Sequence, residues 1–278
     1  YKRQAICDID NKMIERTLKI LKRNNKDYPE IYKNGDEDFI NLVNRDDIDA
    51  VIVATPWEWH HPMAVAAMKS GKHVGLEVPA AITVEDCWDL VNVSEQTGME
   101  CMILENVCYY RPTMALLNMV REGVFGELLH CQCGYQHDLR EVKFNDGKQA
   151  YGGGVEFGEK GFSESEWRTQ HSIERNGDLY PTHGVGPISA MLNINRGNKF
   201  EYLTSTATKS RGLHNYIVKH GGEAHPNSNI DFKLGDIVTT VIKCYNGETI
   251  VVSHDTNNPR PYSLNFRVQG TKGIWMGD

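Results

Sequence analysis

The spacing of apolar positions changes once along the chain. Up to Leu104 it alternates between short continuous runs and helical stripes. Gln4–Asp8 reads as a short apolar strand that ends in an acid. Lys12–Leu21 sets Met13, Ile14, Leu18 and Leu21 on one stripe, a helical spacing. Asp38–Val43 predicts a second short helix, and Asp49–Thr55 is a continuous apolar run of the kind found in strands buried on both faces. Met63–Ser70 reads as a helix closed by Gly71, and His73–Glu77 as a strand. Thr83–Thr97 is helical; Thr83 with Asp86 three residues on resembles a capping box with the shorter acid, and Gly98 closes the helix. Met99–Leu104 is the next strand. Strands and helices in alternation, joined by short connections, predict a parallel sheet with right-handed crossovers.

After Asn106 the pattern differs. A helix over Thr113–Arg121 ends at Gly123, and long strand-like stretches follow at Glu127–Leu139, Phe200–Thr208, Asp236–Tyr245, Thr249–His254 and Leu264–Gln269. Asn246-Gly247 between two of them is a hairpin signal. One helix, Thr182–Ile194, interrupts the strands, and the glycine-rich Tyr151–Gly161 reads as a long loop, functional or mobile. Runs of strands with few helices predict a second domain built on an antiparallel sheet.

Length agrees with this division, since 278 residues correspond to roughly two domains. Lys and Arg number 30 against 37 Asp and Glu, a formal net charge of -7, which argues against a nucleic-acid binder working through bulk positive charge. No window approaches the roughly 18 uninterrupted apolar residues of a transmembrane helix. The seven cysteines lie mostly in apolar strand-like runs, as buried small hydrophobes do, and their spacing gives neither a metal site nor a disulfide framework. No signal peptide is visible, and the chain opens on Tyr1, inside a domain.

Candidate chemistry gathers at strand ends. Asp8 ends a strand that precedes a helix. In dinucleotide folds an acid at the end of the second strand holds the ribose hydroxyls, though an acid capping the helix fits equally. The glycine fingerprint of such a fold belongs about 20 residues upstream, before residue 1. Trp57-Glu58-Trp59-His60 lies in the loop after the buried strand, where parallel sheets bind ligands; aromatic packing at a helix start is the alternative. Glu77-Val78 and Glu105-Asn106 end the two following strands, and together these ends would line one crevice.

In the second domain, Tyr135 and His137 share one face of a strand by its period of two, with Asp138 next to them. Arg168 sits in a polar loop. Tyr180-Pro181-Thr182-His183 opens a helix, with Thr182 as candidate N-cap and His183 in the first turn, where the helix dipole disfavours imidazolium. Tyr262, in Asn258-Pro-Arg-Pro-Tyr, is ambiguous by itself.

With these segments in place, the run DAVIVATPWEWHHPMAVAAMKSGKHVGLEVP resembles the core of the Gfo/Idh/MocA oxidoreductase superfamily. The stretches ATPWEWHHPMA, GLEVPAA, ENVCYYRPTMALLNMVREGVFGELLHCQCGYQHDLR, GDLYPTHGVGP, KLGDIVTT and NPRPYSLNFRVQGTKGIWM are similar to its glycoside hydrolase family 109 branch, the NAD-dependent α-N-acetylgalactosaminidases. The resemblance covers essentially the whole chain. It implies an α/β fold: a Rossmann domain over 1–107, lacking its first strand and glycine-rich turn, then an α+β substrate domain over 108–278. That second domain would have an open-faced, mostly antiparallel sheet and be truncated at its C-terminus.

The resemblance also implies NAD as cofactor. Asp8, Trp57, Glu58, Trp59, His60, Glu77, Val78, Asn106 and Tyr180 would surround it. Tyr135, Arg168, Tyr180, Pro181, Thr182, His183 and Tyr262 would surround the sugar. His183, Tyr180, Tyr135, His137 and Glu105 are the acid/base candidates, their roles unseparated. The implied reaction is redox-neutral: oxidation at C3 of the sugar, elimination of the C1 group after loss of the C2 proton, addition of water, and reduction, outside the usual two-carboxylate scheme. Most dehydrogenases of the superfamily carry Lys where this chain has Val78, which argues for the glycosidase branch. The partner implied is a glycan or small molecule with a terminal α-N-acetylgalactosamine, with self-association through the open sheet face and a periplasmic or exported location. An NAD(P)-dependent sugar oxidoreductase, or an inactive fragment or binding protein, are the alternatives.

Overall fold

A computed structural model describes residues 5–277, so the expected first strand is seen from Ala5 and Gln4 lies outside the described residues. The first unit runs to Leu104. Its elements are β1 (Ala5–Cys7), α1 (Asn11–Arg23), β2 (Glu30–Tyr32), α2 (Phe39–Val43), β3 (Ala50–Val53), α3 (Trp57–Lys69), β4 (His73–Leu76), α4 (Val84–Thr97) and β5 (Cys101–Ile103). Every strand pair is parallel, as the alternation predicts, and the pairs form two sheets, β1–β2 and β3–β4–β5. The sequence reading missed β2, whose three residues carry no apolar run.

Two expectations need correction here. The run over Asp49–Thr55 is covered on one face only: Val53 is buried, but Ile52 is 73% exposed, on a bare face that it shares with Met102 across Gly75. Trp57–His60 is the first turn of α3, not a loop. Pro56 precedes it with extended backbone, and Trp57 and His60 are buried against the unit rather than displayed. The start of α4 follows expectation in half: Thr83 Oγ1 accepts the Asp86 N–H at 3.1 Å and Gly98 closes the helix at φ +69°. The Asp86 carboxylate instead faces His61 Nδ1 at 3.5 Å.

The second unit starts at Glu105, three residues ahead of the expected boundary at 107/108, because Glu105 caps the 3-10 helix Asn106–Tyr109. It continues through α5 (Arg111–Arg121), β6 (Leu128–Gln136), α6 (Arg140–Lys143), α7 (Arg168–Glu174), α8 (Thr182–Met191), β7 (Phe200–Ala207), α9 (Gly212–Gly221), β8 (Ile237–Cys244), β9 (Thr249–Asp255), β10 (Arg267–Gly270) and β11 (Ile274–Met276). Six strands make one sheet in the order β11-β10-β6-β9-β8-β7, antiparallel throughout except for the parallel pair β6–β9. One face packs α5 and α8, with Leu116 and Ile188, over Cys131, Cys133, Ile242, Ile250 and Val268. Cys131, Cys133 and Cys244 are buried there, as expected of small hydrophobes, whereas Cys87 is exposed and Cys7, Cys101 and Cys108 are half-buried.

The expectation of a single helix among the strands fails, since α6, α7 and α9 are also present. In α9, Leu213, Tyr216 and Ile217 recur at helical spacing and are buried, a signal hidden by the polar residues around them. They join Phe144, Val155 and Phe232 in a second core beneath the glycine-rich loop. Asn145 staples that loop: its Nδ2 donates to the Phe162 carbonyl at 2.8 Å, and its Oδ1 accepts the N–H groups of Gly147 and Phe162 at 3.0 and 3.1 Å.

Candidate active site

A polar cluster of the second unit lies where β6 ends and α8 begins. Close approach of these elements is a matter of missing side chains. A Cβ on Gly184 would sit 2.7 Å from the Gly134 nitrogen and 3.0 Å from Cys133 Cβ, and one on Gly186 would sit 2.9 Å from Glu105 Cγ. Glycine at both positions lets the first turn of α8 lie directly on β6 and against Glu105. Asp178 turns the chain into this helix by accepting the Tyr180 N–H on Oδ1 at 2.9 Å. Its own carboxyl is buried, which pushes its pKa up to about 6.

Thr182 does not cap α8. Pro181 already has helical backbone angles (φ -75°, ψ -18°), and its carbonyl accepts from Gly184 and Val185, so Thr182 lies inside the helix with Oγ1 buried and without a hydrogen bond. His183 does lie in the first turn. Its Nδ1 stands 2.8 Å from Glu105 Oε1, which also accepts the Val107 N–H at 3.0 Å. A carboxylate facing Nδ1 holds the proton on that nitrogen and leaves Nε2 as the acceptor of the ring. Glu105 is itself buried, and its second oxygen has no hydrogen-bond partner.

Aromatic rings wall this dyad. The Tyr135 ring centre lies 4.9 Å from Tyr180, 5.2 Å from His183 and 6.2 Å from Tyr262, and its hydroxyl is 3.1 Å from His137 Nδ1. Tyr262 meets His137 edge-on at 5.1 Å. Burial pushes the Tyr135 phenol above its ordinary value, with the Arg168 cation opposing, and pushes Tyr262 up to about 12. Burial, then Arg168, lowers His137. Tyr135 therefore holds its proton at neutral pH and His137 stays neutral.

Arg168 begins α7 rather than lying in a loop, and Glu164, in the 3-10 turn Ser163–Glu166 before it, forms an ion pair with its guanidinium. That guanidinium lies 5.4 Å over the Tyr180 ring. The structure thus brings Glu105, Tyr135, His137, Arg168, Tyr180, His183 and Tyr262 together. Asn106 donates to the Tyr110 hydroxyl at 3.2 Å, and Asp138 is spent on Arg140. Glu164, Asp178 and Tyr110 were missed by sequence reasoning. Only Glu164 carried a signal, its four-residue spacing to Arg168.

The first unit sets its candidates at the carboxyl ends of parallel strands, where such sheets take ligands. Asp8 follows β1, half-buried, and accepts the Asp10 N–H at 2.9 Å. Glu77 follows β4 and bonds the N–H of the buried Val78. His60 is 1% exposed and lies within hydrogen-bond distance of the carbonyls of Thr55 (2.9 Å) and Pro79 (2.7 Å), so its ring ties together the segments that follow β3 and β4. Trp57 is buried, and Trp59 packs edge-on to Phe39 at 6.2 Å.

Residues 109–278 match the family model "Glycosyl hydrolase 109, C-terminal domain". The chain belongs to glycosyl hydrolase family 109. Residues 2–104 match the NAD-binding Rossmann fold of an oxidoreductase family, so the first unit has a nucleotide-binding fold. An "Alpha-N-acetylgalactosaminidase" of Tannerella forsythia is 60% identical over 278 residues, 99% of this chain and 59% of that protein. A "Glycosyl hydrolase family 109 protein" of Parabacteroides distasonis is 59% identical over 279 residues, 99% of this chain and 60% of that protein. The chain thus spans about three fifths of the length of these curated relatives. A crystal structure of scyllo-inositol dehydrogenase from Lactobacillus casei with bound NAD(H) and scyllo-inositol shares the fold. Its TM-score is 0.68 at 15% identity, over 98% of this chain and 67% of that one.

Proposed function

We propose that the whole protein cleaves terminal α-N-acetylgalactosamine from glycans through an NAD-dependent, redox-neutral sequence of oxidation, elimination, addition and reduction. The observation that carries this reading is the His183–Glu105 pair at the foot of a wall of Tyr135, Tyr180 and Tyr262. The carboxylates of the cluster are already engaged, Glu105 with His183 and Glu164 with Arg168. A conventional glycosidase pair of facing carboxyls is therefore not what these residues build. What they build is a set of proton-handling groups around a face fit for a sugar ring.

The residues of the first unit fit a dinucleotide: a half-buried Asp8 carboxylate at one strand end suits vicinal hydroxyls, and Glu77, Val78 and the Trp57–His60 turn follow neighbouring strands. Asn106 and Tyr180 are proposed as further contacts to the cofactor. Bound NAD supplies a reversible hydride acceptor. His183 Nε2 takes the proton from a ring hydroxyl or the adjacent carbon, and Glu105 holds the imidazolium that forms. Tyr135 and Tyr180 donate to sugar oxygens, while neutral His137 accepts. Arg168 grips a hydroxyl or the acetamido carbonyl, with Pro181, Thr182 and Tyr262 as further sugar contacts. The exposed side chains of Tyr202, Ile237 and Val241, on the face of β7 and β8 opposite Ile242, support self-association through that sheet face.

The test is incubation of the full-length protein with a chromogenic α-N-acetylgalactosaminide and no added nucleotide. Release of the chromophore without accumulation of NADH is expected. NADH accumulation without cleavage would favour an ordinary sugar dehydrogenase and sink the proposal.

A further inference from the structure

Tyr262 is the most exposed wall of the site, at 45%, and it stands on the segment Thr256–Pro261 between β9 and the Ser263 bridge to β6. Its neighbour Arg260 points back into the fold. Arg260 Nη2 donates to Gln136 Oε1 at 2.9 Å, and Nη1 lies 3.3 Å from Oδ2 of Asp255, whose side chain is 5% exposed. The same Asp255 accepts the His137 N–H on its backbone carbonyl at 2.8 Å and the Asn258 amide on Oδ1 at 3.0 Å. Gln136 exchanges both backbone hydrogen bonds with Ser263, at 3.1 and 2.9 Å. One guanidinium therefore grips the strand end that carries His137 and belongs to the segment that carries Tyr262. The prolines on either side of it, Pro259 and Pro261, restrict that segment further.

We infer that Arg260 is a positioning residue for substrate recognition: its fork sets the edge-on contact of Tyr262 with His137 and so the place of the outer wall against the sugar. This rests on the glycosidase reading for its kinetic arm only. The fork matters as a shape, because two acceptors on different strands are met by one planar group; lysine keeps the charge but reaches only one of them. Arg260 touches no ring of the site, so its loss acts on binding through Tyr262 and leaves the proton-handling pair in place.

The experiment compares R260A, R260K and Y262A, with R260A/Y262A closing the cycle, in the full-length protein. R260A is expected to raise KM for the aryl glycoside about tenfold with kcat within about threefold, R260K to recover only part of it, and R260A to add less than about twofold once Tyr262 is gone. In parallel, ring-13C tyrosine labelling follows the Tyr262 signal, identified by its loss in Y262F. It should shift in R260A and, by less, in R260K, as the ring leaves the His137 edge. An unmoved signal in both variants overturns the inference, whatever the kinetics; so does a KM effect that persists undiminished in the Y262A background. A signal that moves in a protein without glycosidase activity sinks the proposed reaction and leaves the positioning role standing.

Discussion

Two of the buried polar clusters of the second unit differ in what they do with titratable groups. One holds His183, Glu105, His137 and the tyrosine wall; each group there has a partner on one side and a ring or an open edge on the other. The second holds Lys143 beneath the end of β9. Lys143 is 2% exposed, and its Nζ donates to Thr256 Oγ1 at 2.9 Å and Asn257 Oδ1 at 2.6 Å, both neutral. Burial, with the Arg168 charge adding, lowers its pKa to about 7, and lowers that of the buried His254 to about 3. A perturbed lysine with no open side ties strands together; a half-open histidine with a carboxylate behind it can pass a proton. Burial alone does not mark the functional cluster, and access together with orientation does.

The comparison breaks most visibly at His183. His183→Ala should lower turnover on an α-N-acetylgalactosaminide by about 10²–10⁴-fold while leaving NAD affinity near that of the parent. Steady-state kinetics with parallel nucleotide titration check it, and retained full activity would remove His183 from the chemistry. Glu105→Gln is the next step down, about 10²-fold in kcat, because the amide keeps the shape but no longer supports an imidazolium. Its melting temperature should stay close to that of the parent, since Oε2 gives up no hydrogen bond. Together these two outcomes separate chemistry from architecture.

Lys143→Met tests the other cluster, where the expected loss is in stability. Removing the amine strands two buried acceptors, at a cost of about 1–3 kcal/mol. The cost should depend on pH. The folded pKa is lowered to about 7 from 10.5, so between these values the unfolded chain binds more protons and the stability of the parent rises with pH. The variant lacks this gain, and the gap between the two should widen above pH 7 by up to about 1.4 kcal/mol per pH unit. Denaturant titrations from pH 6 to 9 measure it, and a gap independent of pH would mean that Lys143 keeps its ordinary pKa.

The same contrast explains what could be read from the sequence. The alternation of strands and helices up to Leu104 was plain, because apolar runs such as Ala50–Val53 and periodic stripes are local signals. So was the shared face of Tyr135 and His137, set by strand periodicity. The pairing of Glu105 with His183 bridges 78 positions, and only the two glycines of α8 make it possible; neither glycine announces a partner in the sequence. Asp178 and Arg260 were invisible for the same reason, since their partners are fixed by tertiary packing. Where local rules competed after β3, a neighbour decided: Pro56 pulled Trp57–His60 into α3.

The smallest predicted effect sits at the start of α8, one residue from His183. The sequence made Thr182 a helix cap, and losing a cap costs about 1 kcal/mol. In the structure the helix opens at Pro181, and the Thr182 hydroxyl is buried without a partner. Thr182→Val exchanges that hydroxyl for a methyl group of the same shape. A true cap would lose stability; a buried, unbonded hydroxyl loses nothing and is relieved of its desolvation cost. The variant should therefore unfold within about 0.5 kcal/mol of the parent, or slightly above it. Any change in KM then reads the contact of Thr182 with the sugar, undisturbed by helix fraying. A loss near a full kcal/mol would restore the capping role and move the first turn of α8, and with it His183.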